Sequence, residues 1–350
     1  MEFHELLIYA RENRASDVHI KVGSGPIIRV DGELMELEGD EYTPEMTEAI
    51  VKNLVPEVQY DYLLEKGELD MAYSLHDIGR FRINIYRQRG SYCLALRVVN
   101  FEIPSLKQLE IPTSVEKLTR LKHGLILVTG PTGSGKSTTL ASMIQTINQK
   151  RRTHIMTLED PIEYLFKNDK SIIGQREIGI DSKSFTNALR ACLRQDPDII
   201  LVGEMRDVET IKIALIAAET GHLVLSTLHT LGGAKTVDRI IDAFPEHNKD
   251  TIRHQVASTL QAVVSQQLLP RKTGIGRIPA CEILIADDAA RNLIRDSKNY
   301  QLVNIIQQGK AKGMTTMDNS LSRVYRLGSI TREVAIEQAL DQDEFLNSIG

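Results

Sequence analysis

The residues Gly130 to Ser137 have the types and spacing of a phosphate-binding loop, G-x-x-x-x-G-K-[ST]. Glycines let the backbone curl so that successive N–H groups point inward at phosphate oxygens, and a following helix adds the positive end of its dipole. Lys136 is the expected point charge for the β- and γ-phosphates, and Ser137 the expected Mg²⁺ ligand. The sequence therefore predicts that ATP and Mg²⁺ bind to a run that includes the next residue: Gly130, Pro131, Thr132, Gly133, Ser134, Gly135, Lys136, Ser137 and Thr138.

Hydrolysis of a bound nucleotide needs acidic groups to organise Mg²⁺ or to orient and deprotonate water. The apolar run Ile199–Val202 is followed by Gly203 and Glu204. Gly203 stands where an aspartate often lies, so Glu204 must act there alone. A second group, Glu159-Asp160-Pro161-Ile162-Glu163, follows another apolar run. Both are expected at the carboxyl edge of a parallel sheet, where open α/β folds bind ligands. The spacing alone does not divide the two roles between these groups.

Two histidines bracket the apolar run Leu223–Leu228. In a strand, His222 and His229 would lie roughly 23 Å apart, at ~3.3 Å per residue, so one metal ion could not bind both. His229 falls at the carboxyl end, where we expect it to sense the γ-phosphate. His222 falls at the opposite end, where a structural role is equally consistent with the sequence.

A basic strand precedes this region. Along Arg80–Tyr86, Phe81, Ile83 and Ile85 would face one side, and Arg80, Arg82 and Asn84 the other; Arg97 lies on the next predicted strand. Such a pattern is typical of a half-buried strand with a solvated face, which the sequence favours. The alternative is an arginine that reaches ATP across a domain or subunit boundary.

The elements that position these residues fall into two regions. Residues 1–100 combine short helical and alternating patterns, with a hairpin signal at Asp31-Gly32, and predict a small α+β domain. Pro104 and Pro112 mark a linker over 101–116. Apolar runs then alternate with helical segments over 117–270, which predicts a parallel sheet covered on both faces. From Lys249 onward the pattern favours helices, and we treat 271–350 as a helical C-terminal region.

Composition limits the function classes. The net charge is −5 and tryptophan is absent, so nucleic acid is not the expected partner. The three cysteines lie far apart, which argues against disulfides and structural zinc and favours a reducing cytosol. No run approaches the ~18 apolar residues of a membrane span, and the acidic start is unlike a signal peptide.

Several of these motifs together resemble those of the secretion and type IV pilus ATPases. Glu159–Glu163 is similar to their Asp box, Asp196–Asp207 to their Walker B segment, and Gly221–Thr230 to their His box. Ser16–His19 and the arginine strands resemble their N-terminal domain. Ala289–Asp296 is similar to a C-terminal signature of the pilus retraction ATPases.

The resemblance implies a small PAS-like N-terminal domain, then a RecA-like ATPase domain with a helical C-terminal part. It implies a homo-hexamer in which Arg82 and Arg97 reach ATP, Glu163 activates water and Glu204 organises Mg²⁺. It also implies pilus retraction through an inner-membrane platform protein, at the cytoplasmic face of that membrane.

Three other functions compete with retraction. Pilus extension and type II secretion ATPases typically carry a tetracysteine module and a longer N-terminal region, unlike this chain. A ring that translocates nucleic acid is disfavoured by the acidic balance. A non-catalytic nucleotide-binding scaffold is disfavoured by Glu163 and Glu204.

Ala289–Asp296 reads as a helix capped by Asp287 or Asp288, with Ala290, Leu293 and Ile294 on one face. The resemblance implies that this helix serves the work of the motor. Polar substitution of Leu293 and Ile294 is therefore expected to leave much ATPase activity in folded protein and to abolish retraction.

Overall fold

A computed structural model describes residues 2–30, 32–75, 78–99, 102–339, 342 and 345–346. The chain forms two compact units. The first comprises Met1–Glu102 with Glu163–Leu165, and the second Ile103–Ile162 with Phe166–Gly350. Among the described residues, no helix combines the length and the hydropathy that crossing a membrane requires.

The first unit is built on a six-stranded sheet of order β3-β2-β1-β6-β5-β4, in which every neighbouring pair is antiparallel. Its strands are β1 (Asp17–Ile20), β2 (Ile27–Val30), β3 (Glu33–Glu36), β4 (Glu68–Leu75), β5 (Gly79–Gln88) and β6 (Ser91–Val98). Its helices are α1 (Phe3–Glu12), α2 (Pro44–Leu54) and α3 (Glu57–Lys66). This mixture agrees with the predicted α+β class.

Two local predictions for this unit are confirmed. Along β5, Phe81, Ile83 and Ile85 are at most 1% exposed, while Arg82 is exposed. The hairpin predicted from Asp31-Gly32 joins β2 to β3, with Val30 opposite Glu33; Asp31 itself lies outside the described residues.

The second unit is built on a seven-stranded sheet of order β13-β12-β7-β11-β10-β8-β9. Its strands are β7 (Gly124–Thr129), β8 (His154–Glu159), β9 (Ile172–Glu177), β10 (Ile199–Val202), β11 (Leu223–Leu228), β12 (Leu260–Pro270) and β13 (Arg277–Ile285). Its helices are α4 (Thr113–Leu118), α5 (Lys136–Lys150), α6 (Phe185–Cys192), α7 (Val208–Glu219), α8 (Gly233–Asp242), α9 (Glu246–Thr259), α10 (Asp288–Arg295), α11 (Leu302–Gln308), α12 (Met317–Arg326) and α13 (Arg332–Gln338).

The predicted parallel sheet is confirmed for the strands from β7 to β12, and only the added strand β13 runs antiparallel to its neighbour β12 in this described sheet. Residues of β7, β10 and β11 are all buried, as strands covered on both faces should be. Apolar clusters fill the sheet's two sides, one of them including Ala290 and Ile294 of α10.

The prediction of a mostly helical chain after Lys249 is wrong for Leu260–Ile285, which forms the β12–β13 hairpin. No boundary signal marks this change, because α9 ends at Thr259 and β12 begins at the next residue with no glycine or proline between them. The division proposed after residue 270 falls within this hairpin. From Asp288 onward the regular elements of the described residues are helices, as predicted.

Most of the linker predicted over 101–116 packs into the second unit. Leu106, Ile111 and Val115 are buried in one of its apolar clusters, and α4 begins at Thr113. Phe101 lies outside the described residues.

Candidate functional site

The phosphate-loop residues connect β7 to α5, in the predicted strand–loop–helix order. Gly133 and Gly135 have φ values of 79° and 86°, in the left-handed region that favours glycine. Gly130 is required by space as well, since a Cβ there would lie 2.2 Å from the carbonyl oxygen of Gln266 and 2.6 Å from Ser134 Oγ. The loop is therefore shaped by backbone that only glycine permits.

Lys136 places a buried cation at this loop. Its side chain is 8% exposed, and Nζ donates hydrogen bonds of 2.9 Å to the carbonyl oxygens of Gly130 and Pro131. Ser134 Oγ is also buried, and within the described part of the chain it has no hydrogen-bond partner. A cation, a buried hydroxyl without a partner and a glycine-shaped backbone are the groups that bind phosphate oxygens. The residues present fit the polyphosphate of a nucleotide.

The rim of the loop is open. Pro131, Thr132 and Gly133 are exposed, and Ser137 and Thr138 are half-buried in the first turn of α5. The Ser137 hydroxyl is a hard oxygen donor of the kind that Mg²⁺ prefers.

Glu204 and His229 lie together. Glu204 follows β10, and its side chain is 12% exposed. Its Oε2 accepts from Arg206 Nε at 2.6 Å and lies 3.8 Å from His229 Nε2. Thr227 Oγ1 donates to the carbonyl of Gly203, which fixes the strand end that carries Glu204. The Glu204 carboxylate therefore makes a charge-assisted hydrogen bond to a guanidinium and lies close to an imidazole.

Strand order explains why these residues share one edge of the sheet. β11 lies between β7 and β10, and all three run parallel. Thr129, which precedes the phosphate loop, is level with Leu228, which precedes His229. The loop, His229 and Glu204 therefore all follow the carboxyl ends of adjacent strands, where open α/β sheets bind ligands.

Comparison with known proteins places the chain in a family. The model of the type II/IV secretion system protein family matches residues 3–274. The chain belongs to this family.

Relatives within this secretion family are similar over nearly the whole chain. The twitching motility protein of Neisseria gonorrhoeae is 46% identical over 322 residues, covering 91% of this chain and 85% of that protein. The type IV pilus retraction ATPase PilT of Pseudomonas aeruginosa is 41% identical over 345 residues, covering 99% and 100%. A crystal structure of the pilus retraction motor PilT with bound ADP superposes with a TM-score of 0.90 at 47% identity, covering 98% of both chains.

The acids at the end of β8 and just after it differ in their surroundings. Glu159 Oε1 accepts from Thr157 Oγ1 at 2.6 Å and from Gln175 Nε2 at 3.2 Å, so its carboxylate is held within the sheet edge. Asp160 and Glu163 are exposed. Glu163 falls in the first compact unit and Glu204 in the second. Of the acids after β8, Asp160 and Glu163 are thus the solvent-facing ones.

Arg82 and Arg97 lie directly opposite each other in the β5–β6 pair, and both are exposed. Asp17 Oδ1 accepts from Arg97 Nε at 3.1 Å. Like charges directly opposite destabilise a sheet, and Asp17 offsets part of that cost. The first unit therefore presents two exposed arginines side by side, one of them paired with Asp17.

His222 has a local partner. Its Nδ1 lies 3.0 Å from the carbonyl oxygen of Ala217, in the last turn of α7, and its own carbonyl accepts from Gly124 N. These contacts support the structural alternative. β11 separates it from His229, as predicted.

In α10, Asp287 is the N-cap, with its Oδ1 accepting from Ala290 N at 2.9 Å. Ile294 is fully buried and Leu293 partly buried against the same cluster. That polar residues at both positions leave folded protein stays a prediction. Ile294 is the more demanding of the two positions, because a polar group there would lose its hydration.

Sequence reasoning missed three residues that support the site. Arg206 pairs with Glu204, and its position two residues after that acid could have indicated the ion pair from the sequence. Glu177, on edge strand β9, is buried and accepts from the backbone N–H of Ile162, immediately before Glu163. Gln266, on β12, contacts the phosphate loop. Because the latter two act from distant strands, no local pattern marked them.

Proposed function

We propose that this protein is a motor ATPase that hydrolyses Mg·ATP to power retraction of a type IV pilus, and hence twitching motility. The observation that carries the proposal is the glycine-shaped loop with its buried lysine, in a chain that matches a pilus retraction ATPase along its full length. The ADP-bound structure of a similar motor supports a nucleotide as the ligand.

The loop Gly130–Thr138 binds the phosphates through its N–H groups, and Lys136 neutralises the β- and γ-phosphates. Ser137 and Glu204 hold Mg²⁺, which when bound supplies a Lewis acid that neutralises phosphate charge. His229, 3.8 Å from Glu204, senses the γ-phosphate. Glu163 orients and deprotonates the attacking water, a role that suits its exposed carboxylate.

The assembly we propose is a homo-hexamer that acts at the cytoplasmic face of the inner membrane through a pilus platform protein. Arg82 and Arg97 reach the nucleotide and stabilise transition-state charge. This role accounts for the two like charges that lie opposite each other in the sheet. No nucleic acid takes part. The net charge of −5 supports this, because nucleic-acid binding draws on a basic surface.

Retraction is favoured over extension or secretion by two observations. The match to the retraction ATPase of Pseudomonas aeruginosa covers 99% of this chain and 100% of that protein. The three cysteines are buried and separate, unlike a tetracysteine module.

Lys136→Ala tests the proposal. The phosphates lose their principal cation, so phosphate release from ATP should decrease by about 10²-fold or more. Lys212→Ala, an exposed lysine on α7, is the matched control and should retain wild-type turnover. In a deletion strain, Lys136→Ala should leave the pili long and surface spreading absent. The Lys212→Ala control should restore normal pilus length and surface spreading. Wild-type hydrolysis by Lys136→Ala would refute the assignment of the site; hydrolysis without any effect of the deletion on pili would refute the retraction role.

A further inference from the structure

Gln266 is a buried side chain outside the phosphate-loop motif. It lies on β12, one position beyond Ser265, which is level with Thr129 at the end of β7. It is 2% exposed. The register therefore brings it beside the start of the phosphate loop.

Both ends of the Gln266 amide bind residues of the nucleotide site. Nε2 donates to the carbonyl oxygen of Ser134 at 2.6 Å, and Oε1 accepts from Thr139 Oγ1 at 2.8 Å. Ser134 belongs to the loop, and Thr139 to the first turns of α5, three residues after Lys136. One side chain thus joins the loop to the helix that carries Lys136 and Ser137.

The glycines of the loop make room for this contact. A Cβ at Gly130 would lie 2.2 Å from the Gln266 carbonyl oxygen, and one at Gly135 would lie 2.9 Å from its Nε2. Backbone and side chain of Gln266 therefore lie directly against these two glycines of the loop.

We infer that Gln266 is a positioning residue that holds the phosphate loop in its nucleotide-binding shape. This inference rests on the proposed nucleotide site. If the loop loses both amide contacts, it populates other conformations, and the apparent dissociation constant rises in inverse proportion to the fraction of loop that remains competent. A decrease of that fraction to a tenth weakens binding tenfold.

The test compares Gln266→Met with Gln267→Met. Gln267 is the next residue on β12, is also buried, and its Oε1 has no hydrogen-bond partner among the described residues. Side chains alternate along a strand, so it points away from the loop. Fluorescent ADP is titrated against each full-length protein, and amide hydrogen exchange is followed in peptides of the loop without nucleotide.

We expect about tenfold weaker ADP binding and faster loop exchange in Gln266→Met, with Gln267→Met close to wild type in both. Wild-type ADP affinity in folded Gln266→Met, or equal weakening in the two variants, would overturn the inference and leave the proposed function intact. Failure of the wild-type protein to bind ADP would instead overturn the proposed function. If Gln266→Met does not fold, Thr139→Val removes one of the two contacts from the other side. The inference then requires weaker ADP binding and faster loop exchange in that variant, and wild-type behaviour refutes it.

Discussion

The Arg291 side chain makes a strong stability prediction, because it closes the end of a neighbouring helix. Its Nη1 donates to the carbonyl oxygens of Ala257 and Ser258 at 2.7 Å each, and its Nε to that of Ala286 at 2.8 Å. Ala257 and Ser258 are in the last turn of α9, whose carbonyls have no partner within the helix. A cation at a helix C-terminus is also favoured by the helix dipole.

Replacing Arg291 by alanine leaves these carbonyls without their charged donor. Hydrogen bonds to charged groups contribute about 1.5–3 kcal/mol each, and water replaces part of the loss at this half-buried position. The free energy of unfolding should therefore decrease by about 3 kcal/mol. At about 2–4 °C per kcal/mol, the Tm of the second unit should fall by roughly 6–12 °C.

Arg295→Ala is the matched control, since Arg295 lies on the same helix, is exposed, and donates a hydrogen bond to Asn292 Oδ1. Its free energy of unfolding should stay within about 0.5 kcal/mol of wild type. Arg291→Lys should be intermediate, because one ammonium cannot span the three carbonyls. Calorimetry at fixed protein concentration measures all three. Equal Tm values for Arg291→Ala and Arg295→Ala would refute the reasoning.

Three further predictions follow from the site and from α10. Glu163→Gln should bind ATP normally while phosphate release decreases about 10²–10⁴-fold. Glu204→Gln should slow phosphate release and also raise the Mg²⁺ concentration needed for the half-maximal rate. Native turnover in Glu163→Gln would exclude Glu163 as the base. If Arg82 completes a site across a subunit boundary, specific ATPase activity should rise with protein concentration in wild type; activity that persists in confirmed monomer would contradict this. Substituting the exposed Asn292 and Arg295 together should spare hydrolysis and Tm but abolish surface motility, and motility at the wild-type level would assign α10 to packing alone.

Local patterns pointed to the candidate nucleotide site because its parts are local. The phosphate loop is one continuous segment between a strand and a helix, Glu204 follows an apolar run after one glycine, and His229 follows another directly. Because the strands are parallel, their carboxyl ends lie at the same edge of the sheet. The strand order places β10 beside β11, and Glu204 Oε2 lies 3.8 Å from His229 Nε2 there.

Contacts between distant segments were not predictable in this way. Gln266 is 132 residues from Ser134, and Arg291 is 34 residues from Ala257. Glutamine inside an apolar run and arginine on an amphipathic helix carry no local sign of a buried partner. β12 itself was missed for a related reason. It follows α9 without a turn residue, so neither the helical nor the strand periodicity shows clearly where the helix ends and the strand begins.

The position of β12 explains how two separate loops keep a fixed spacing at the sheet edge. Ser265 Oγ accepts from the backbone N–H of Gly232, in the loop after His229, while the next residue, Gln266, holds the phosphate loop. Adjacent side chains on a strand point to opposite faces, so one strand holds both loops at once. Glu282, level with Ser265 on β13, accepts from Gly233 N at 2.8 Å, and burial raises the pKa of its carboxyl group. The β12–β13 hairpin therefore contacts both loops and helps to set the spacing between them.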